Sequence, residues 1–168
     1  VIDNVIITNA SGGSQGILIQ NVATTNVTIQ NSRIGVDASG NAAGSGGNGI
    51  QINDGADNVT ISNNIISTGA IPGVWTSDSG IGSGVVFSHN LYDAAITGTA
   101  FRTASTNYAL AQVTTPEPMA LTESLAFLGP SARDYRLRAE SSNRRGGTAT
   151  TSCIDKRARV CWSPPDIG

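Results

Sequence analysis

A short segment of alternating apolar and polar residues recurs four times in the first 90 residues. The copies start at Asn4, Asn26, Asn58 and Gly84, which are 22, 32 and 26 residues apart, and they align without a gap. Within each copy apolar residues alternate with Thr, Gln or Ser, the period of two that is typical of a strand with one buried face. A repeat of this length with no helical pattern between its copies predicts that the chain coils into a solenoid of strands.

Coiling predicts which residues stack on one another. In a solenoid each strand pairs in parallel with its counterpart one turn later, about 4.8 Å away, so equivalent positions form rows. We therefore expect the strands beginning near Val5, Val27, Val59 and Val85 to pair in parallel and in register. One internal row should contain Val27, Val59 and Val85, and another Ile7, Ile29, Ile61 and Phe87. A companion strand should begin at Gly16, Gly49 and Gly73.

Asparagines follow the repeated strands, where the chain has to bend. Asn adopts the left-handed backbone conformation more readily than other non-glycine residues. We predict that Ser32, Asn64 and Asn90 share one corner, and that stacked Asn side chains form hydrogen bonds along it. His89 occupies the position of Asn31 and Asn63, which indicates a corner residue and not a catalytic base.

Charge is distributed unevenly along the chain. Residues 1–120 carry two basic and seven acidic side chains, whereas residues 121–168 carry eight basic and five acidic ones. The basic part contains few aromatic residues and interspersed carboxylates, so nucleic-acid binding is not expected. No apolar run reaches 18 residues and Val1 is not followed by a signal-peptide pattern, so we expect neither a membrane span nor a retained export signal.

Cys153 and Cys161 are the only cysteines. A structural zinc site needs about four ligands, and His89 is the only histidine, so no metal site is expected at this pair. A disulfide between them is favoured over two free thiols if the protein is extracellular.

Two stretches resemble known proteins. Gly49 to Ile65 is similar to the repeats of the pectin-lyase-like right-handed parallel β-helix family. The stretch from Tyr108 to Leu137 is similar to the end of bacterial surface β-helix proteins. The resemblance implies an all-β, right-handed parallel β-helix of about four coils in residues 1–98, with an irregular C-terminal capping region in residues 99–168 that contains the disulfide loop. It also implies a secreted or cell-surface location.

The resemblance does not imply one chemistry, because β-helices serve as lyases, hydrolases, adhesins and scaffolds. A lyase centre needs calcium-binding carboxylates and a nearby base. The outward strand positions are uncharged, and Arg33 and Arg102 are the only basic residues in the coils. We therefore expect no cofactor. Calcium is expected only if the protein is a polysaccharide lyase.

The best candidate site lies beside the companion strands. If Gly73 aligns with Gly49, then Asn21, Asp54 and Asp78 stack at one turn, and Trp75 faces outward beside Gln51. A tryptophan there could stack on a sugar ring, and two carboxyl groups on adjacent coils could act as in a glycosidase. Against this, Gly80 competes with Gly73 as the strand start, and Asp54 next to Gly55 is also typical of a turn.

These observations favour an extracellular or surface module with a structural, adhesive or glycan-binding role, whose partner is a polysaccharide or cell-surface glycan. The alternative is a polysaccharide lyase or glycoside hydrolase, or part of one. The chain starts within a repeat strand at Val1, and a solenoid end needs a cover. We therefore expect either preceding coils or end-to-end association of copies into an oligomer or filament.

Overall fold

The computed structural model describes residues 1–8, 13–36, 47–68, 72–76, 82–123, 127–129 and 134–137. Short β-strands make up almost all of the regular structure, and one 3-10 turn covers Leu110–Gln112. The strands are β1 Ile2–Asp3, β2 Ile6–Ile7, β3 Ile17–Gln20, β4 Thr25–Gln30, β5 Arg33–Ile34, β6 Ile50–Asn53, β7 Asp57–Ser62, β8 Ile65–Ile66, β9 Val74–Thr76, β10 Val86–Ser88, β11 Leu91–Asp93, β12 Thr99–Arg102, β13 Asn107–Ala109, β14 Leu121–Glu123, β15 Phe127–Gly129 and β16 Asp134–Leu137.

The first fourteen strands form three sheets that run along one solenoid. Sheet A has the order β1-β4-β7-β10, sheet B the order β14-β11-β8-β5-β2, and sheet C the order β13-β12-β9-β6-β3. Neighbouring strands pair in parallel throughout these sheets, except β12 with β13. Each turn contributes one strand to each sheet. The predicted all-β parallel solenoid of about four coils is confirmed.

The predicted rows are confirmed for three of the four repeated segments. Val27 faces Val59, and Ile29 faces Ile61, which in turn faces Phe87. These side chains point into the solenoid, where Val, Ile and aromatic residues fit the pleated surface of stacked strands. Phe87 also meets Phe101 edge to face, with ring centroids 4.9 Å apart.

The predicted place of the first segment is wrong. Ile7 faces Ile34 in sheet B, and it is Ile2 that faces Ile29 in sheet A. The strand near Val5 therefore pairs in parallel, but with a different sheet from the one predicted. Left-handed asparagines occur both near the start of a sheet A strand, as at Asn26, and at its end, as at Asn31, so the residue type does not distinguish the two places. The pairing of Ile2 with Ile29 shows that Asn4 follows a sheet A strand and does not begin one.

The corner between sheets A and B has a constant length. Two residues separate the sheet A strand from the sheet B strand in every coil, at positions 4–5, 31–32, 63–64 and 89–90. The first residue of each pair has a positive φ of 51° to 56°. This tight left-handed bend sets the register of both sheets.

The core is made mainly of isoleucine. Ile29, Ile50 and Ile61 are completely buried inside the solenoid together with other apolar residues of all three sheets. A second, smaller cluster on the opposite side of sheet B contains Val36, Ile65 and Leu91. Because Ile65 and Ile66 are consecutive in β8 but belong to different clusters, sheet B is buried on both faces at this strand.

The last coil is closed by the segment that follows sheet C. β12 and β14 extend sheets C and B in parallel, whereas β13 turns back antiparallel on β12. We call residues 110–120 the closing segment; Val113 and Glu117 in it are completely buried. The division of the chain at residue 98 stays a prediction, and Cys153 and Cys161 lie outside the described residues. Within the described ranges no helix has the length and apolar character needed to cross a bilayer.

Candidate functional site

A row of four side chains runs along the outer face of sheet C. Leu18 faces Gln51, Gln51 faces Trp75, and Trp75 faces Arg102 on successive coils. Their neighbours Ile17, Ile50 and Val74 belong to the core, so side-chain alternation places the four on the outside. We call them the outer row. The predicted alignment of Gly73 with Gly49, and of Trp75 with Gln51, is confirmed.

Trp75 is the centre of the outer row. Its side chain is half-buried, and the guanidinium carbon of Arg102 lies 4.9 Å from the centroid of its ring. This is the distance of a cation–π contact, in which Arg is the commonest cation. The indole Nε1 is buried and has no hydrogen-bond partner among the described residues. Trp75 therefore has one face covered by Arg102, and its buried Nε1 has no acceptor within the described part of the chain.

Gln51 is held by a neighbour on its own coil. Asn48 Nδ2 donates a hydrogen bond of 3.0 Å to Gln51 Oε1, and only 6% of Gln51 is exposed. Leu18, one coil earlier, is 46% exposed. The outer row thus changes from an exposed apolar residue to an ordered amide, an indole and a guanidinium along the solenoid axis.

The predicted acidic turn is partly described. Asn21 and Asp54 follow the paired residues Gln20 and Asn53, so they are equivalent on adjacent coils. They have φ values of 81° and 54°, which shows that both serve as left-handed turn residues. Asp78 lies outside the described residues, so the proposed pair of Asp54 with Asp78 stays a prediction.

A second row of polar side chains lies inside the corner between sheets A and B. It consists of Ser32, Asn64, Asn90 and Glu117, and we call it the corner ladder. The backbone N–H of Ser32 donates to Asn64 Oδ1 and that of Asn64 to Asn90 Oδ1, both at 3.0 Å. Each Asn amide also donates to a carbonyl of sheet A, Asn64 Nδ2 to Ile29 and Asn90 Nδ2 to Ile61. The predicted stacking of Asn side chains at this corner is confirmed.

Glu117 ends the corner ladder. Its side chain is completely buried, and Oε1 accepts hydrogen bonds from the backbone N–H of Asn90 at 2.8 Å and from Asn90 Nδ2 at 3.1 Å. The hydroxyl of Tyr92 donates to Oε2 at 2.9 Å. Burial raises the pKa of Glu117 to about 7, although these hydrogen bonds act in the opposite direction. Burial and then the charge of Glu117 raise the pKa of Tyr92 as well.

The residue before each ladder position forms the outside of the same corner. His89 has a φ of 56°, as Asn63 has, so the prediction that His89 is a corner residue is confirmed. Its imidazole Nδ1 contacts the hydroxyl of Ser88, and burial lowers the pKa of His89.

One carboxylate pair was not predicted from the sequence. Asp93 faces Glu123 on sheet B, but Asp93 is buried and accepts hydrogen bonds from Ser67 Oγ at 2.6 Å and from the backbone N–H of Ala95 at 3.1 Å. Asp93 therefore serves to hold the end of its strand. Within the described ranges no group of three His, Cys, Asp or Glu side chains is placed to hold a metal ion.

No family model matches the chain, and neither the curated proteins nor the solved structures with which it was compared give a match.

Proposed function

We propose that the protein is an extracellular β-solenoid module that binds a polysaccharide or cell-surface glycan along the outer row. The observation that carries this proposal is the contact between Arg102 and the half-buried Trp75 on neighbouring coils of sheet C. Sugar rings offer apolar C–H faces and hydroxyl edges, and a half-buried indole between polar side chains matches both. Trp75 and Arg102 are neighbours along the solenoid axis, so a glycan that contacts both would lie along that axis.

The chemistry of the neighbouring side chains supports the same ligand class. Arg102 carries fixed hydrogen-bond donors for hydroxyl or carboxyl oxygens, and its place over the Trp75 ring holds it in position. The resemblance of residues 49–65 to pectin-lyase-like repeats supports the extracellular location. The proposal needs no cofactor.

Retention on a panel of immobilised polysaccharides tests the proposal. An aromatic stacking contact contributes about 0.5–1.5 kcal/mol of binding free energy in addition to the area that it buries. Loss of this contact in Trp75→Ala should weaken binding about two- to tenfold. The matched control is Val86→Ala, because Val86 is 50% exposed but lies on sheet A. Equal retention of wild type and Trp75→Ala, with both folded by circular dichroism, would contradict the proposal.

The enzyme alternative is tested on the same panel. Asn21 and Asp54 occupy equivalent turns directly after the sheet C strands that carry the outer row, so bound glycan would pass close to them. Release of reducing sugar, or of unsaturated uronate in the presence of calcium, would replace the binding function by catalysis. Loss of that activity in Asp54→Asn or Asp78→Asn would assign the turn as its centre.

A further inference from the structure

We propose that the corner ladder makes the closing segment pH-sensitive: the neutral Glu117 side chain holds this segment on the last coil, and ionisation of Glu117 weakens the attachment. The proposal goes beyond glycan binding and does not depend on it. It rests on the place of Glu117 in the ladder, on the partners of its two oxygens and on the groups that surround it.

Glu117 takes over a role that an amide has on the preceding coils. Asn64 Oδ1 accepts from the backbone N–H of Ser32, and Asn90 Oδ1 accepts from that of Asn64. Glu117 Oε1 accepts from the backbone N–H of Asn90 in the same way. An amide performs this role at every pH, whereas a carboxyl group changes its charge. The ladder therefore ends in its only ionisable member.

Glu117 also connects the closing segment to the last coil. Its backbone N–H donates to the carbonyl of Val113 at 3.1 Å, and its carbonyl accepts from Ala120 at 2.9 Å. The side chain then reaches Asn90 and Tyr92 of the coil. Directly after the segment, the backbone N–H of Leu121 donates to the carbonyl of Asn90 at 2.9 Å. Among the described residues, the Glu117 side chain makes the buried polar contacts that join the closing segment to the last coil. Weakening these contacts would therefore loosen the segment.

Among the described residues, no group around Glu117 balances its charge. Tyr92 is the titratable group of β11 that faces Glu117. Burial raises the pKa of Tyr92, so it remains neutral. Asp93 and Glu123 lie in a row on the other side of sheet B, as alternation requires. His89 forms the outside of the corner, Arg102 lies over Trp75 on sheet C, and the closing segment contains no second charged residue.

Burying an ionised carboxylate without a charged partner costs free energy, so burial favours the neutral carboxyl group. The pKa of Glu117 is raised from 4.5 to about 7, and the sign of the effect follows from this direction. When the segment opens, the carboxyl group returns to water and ionises at its ordinary pKa. Opening therefore becomes easier as the pH rises from about 4.5 to about 7, and it changes little above that range.

Hydrogen–deuterium exchange of the full chain at pH 5 and pH 8.5 tests the proposal, with protection factors corrected for the intrinsic rate. Protection of the backbone amides in residues 110–121 should fall about tenfold or more between the two pH values in the wild type. Protection of β6 and β7 is the internal reference and should fall much less. In Glu117→Gln, which keeps an oxygen acceptor for Asn90, protection of the segment should be the same at both pH values.

A second variant covers the case in which Glu117→Gln does not fold. The hydrogen bond from Tyr92 stabilises the ionised carboxylate, so Tyr92→Phe should make the loss of protection between pH 5 and pH 8.5 larger than in the wild type. The proposal is overturned if wild-type protection of residues 110–121 does not change with pH. It is also overturned if Glu117→Gln loses as much protection as the wild type, or if Tyr92→Phe loses less.

Discussion

The corner ladder and the outer row are built by the same stacking of coils, yet they differ in how their polar atoms are used. In the corner ladder the amide of Asn64 bonds to a sheet A carbonyl and to the next Asn. In the outer row the Nε1 of Trp75 has no partner among the described residues, and Arg102 lies over the ring. Repetition inside the solenoid gives each amide a partner on the next coil, whereas the outer row changes its residue type from coil to coil.

Removing one rung of the corner ladder should have the largest effect. Asn64→Ala leaves the backbone N–H of Ser32 and the carbonyl of Ile29 buried without these partners. Each buried group that loses its hydrogen bond costs about 1–3 kcal/mol, so the free energy of unfolding should fall by about 3 kcal/mol or more. Urea denaturation followed by circular dichroism measures it.

Asn107→Ala is the control for that substitution, because Asn107 is also in a strand but is exposed. It should change the free energy of unfolding by less than about 0.5 kcal/mol. If the two variants are equally stable, the ladder does not stabilise the solenoid and the contrast with the outer row fails.

The acidic end of the ladder should make the stability depend on pH. The pKa of Glu117 is raised from 4.5 to about 7 in the folded protein, so its contribution is fully present below about pH 4.5 and is lost as the pH rises to about 7. The loss in the free energy of unfolding should be about 3 kcal/mol. Urea denaturation at a series of pH values, with Glu117→Gln as the variant that lacks this dependence, measures it. Equal pH profiles would contradict the prediction.

The cation of the outer row should have a smaller effect. Its cation–π contact with Trp75 is made within the folded protein, and such a contact at a partly exposed site is worth about 0.5–1 kcal/mol. Arg102→Gln should therefore lower the free energy of unfolding by about that amount and change the fluorescence of Trp75. If Arg102 also donates hydrogen bonds to the glycan, retention of the variant should fall as well. Weaker binding by Val86→Ala to the same degree would show that the effect is not specific to the outer row.

The corner residue should show the smallest effect. His89→Asn restores the residue type of Asn31 and Asn63, which have nearly the same φ, so the free energy of unfolding should change by less than about 0.5 kcal/mol. The contrast variant is His89→Val, because a β-branched residue in the left-handed region costs about 1–2 kcal/mol. A large loss in His89→Asn would indicate that the imidazole has a role beyond the bend.

The sequence predicted the fold wherever the repeat carries both strand and turn. Val27 and Val59, or Gln51 and Trp75, could be aligned because a Gly or Asn marks the start of each strand. Ile7 was misplaced because the letters Asn-Val-Ile-Ile fit either side of the corner. Left-handed asparagines lie at both places, as Asn26 and Asn31 show, so only the pairing of Ile2 with Ile29 decides between them.

The part of the candidate site that the sequence did not predict comes from contacts beyond the repeat. Arg102 lies on the next coil and stacks on Trp75. In that coil the glycine that begins the companion strand is replaced by Ala100, so the repeat does not reveal the strand. Glu117 lies between two prolines, in a segment with no strand pattern, so nothing local indicates that its carboxyl group is buried. Both residues become visible only when the coils are stacked.

The constant corner between sheets A and B has a consequence for how such a chain can change in length. Two residues bridge these sheets in every coil, whereas 15 residues separate β5 from β6 and 7 separate β8 from β9. An insertion at the constant corner would displace a ladder residue and shift the register of every following row. An insertion between sheets B and C leaves the ladder in place. The protein therefore has one corner that fixes the register of its coils and another at which new sequence can be added, by evolution or by an experimenter, without disturbing the stack.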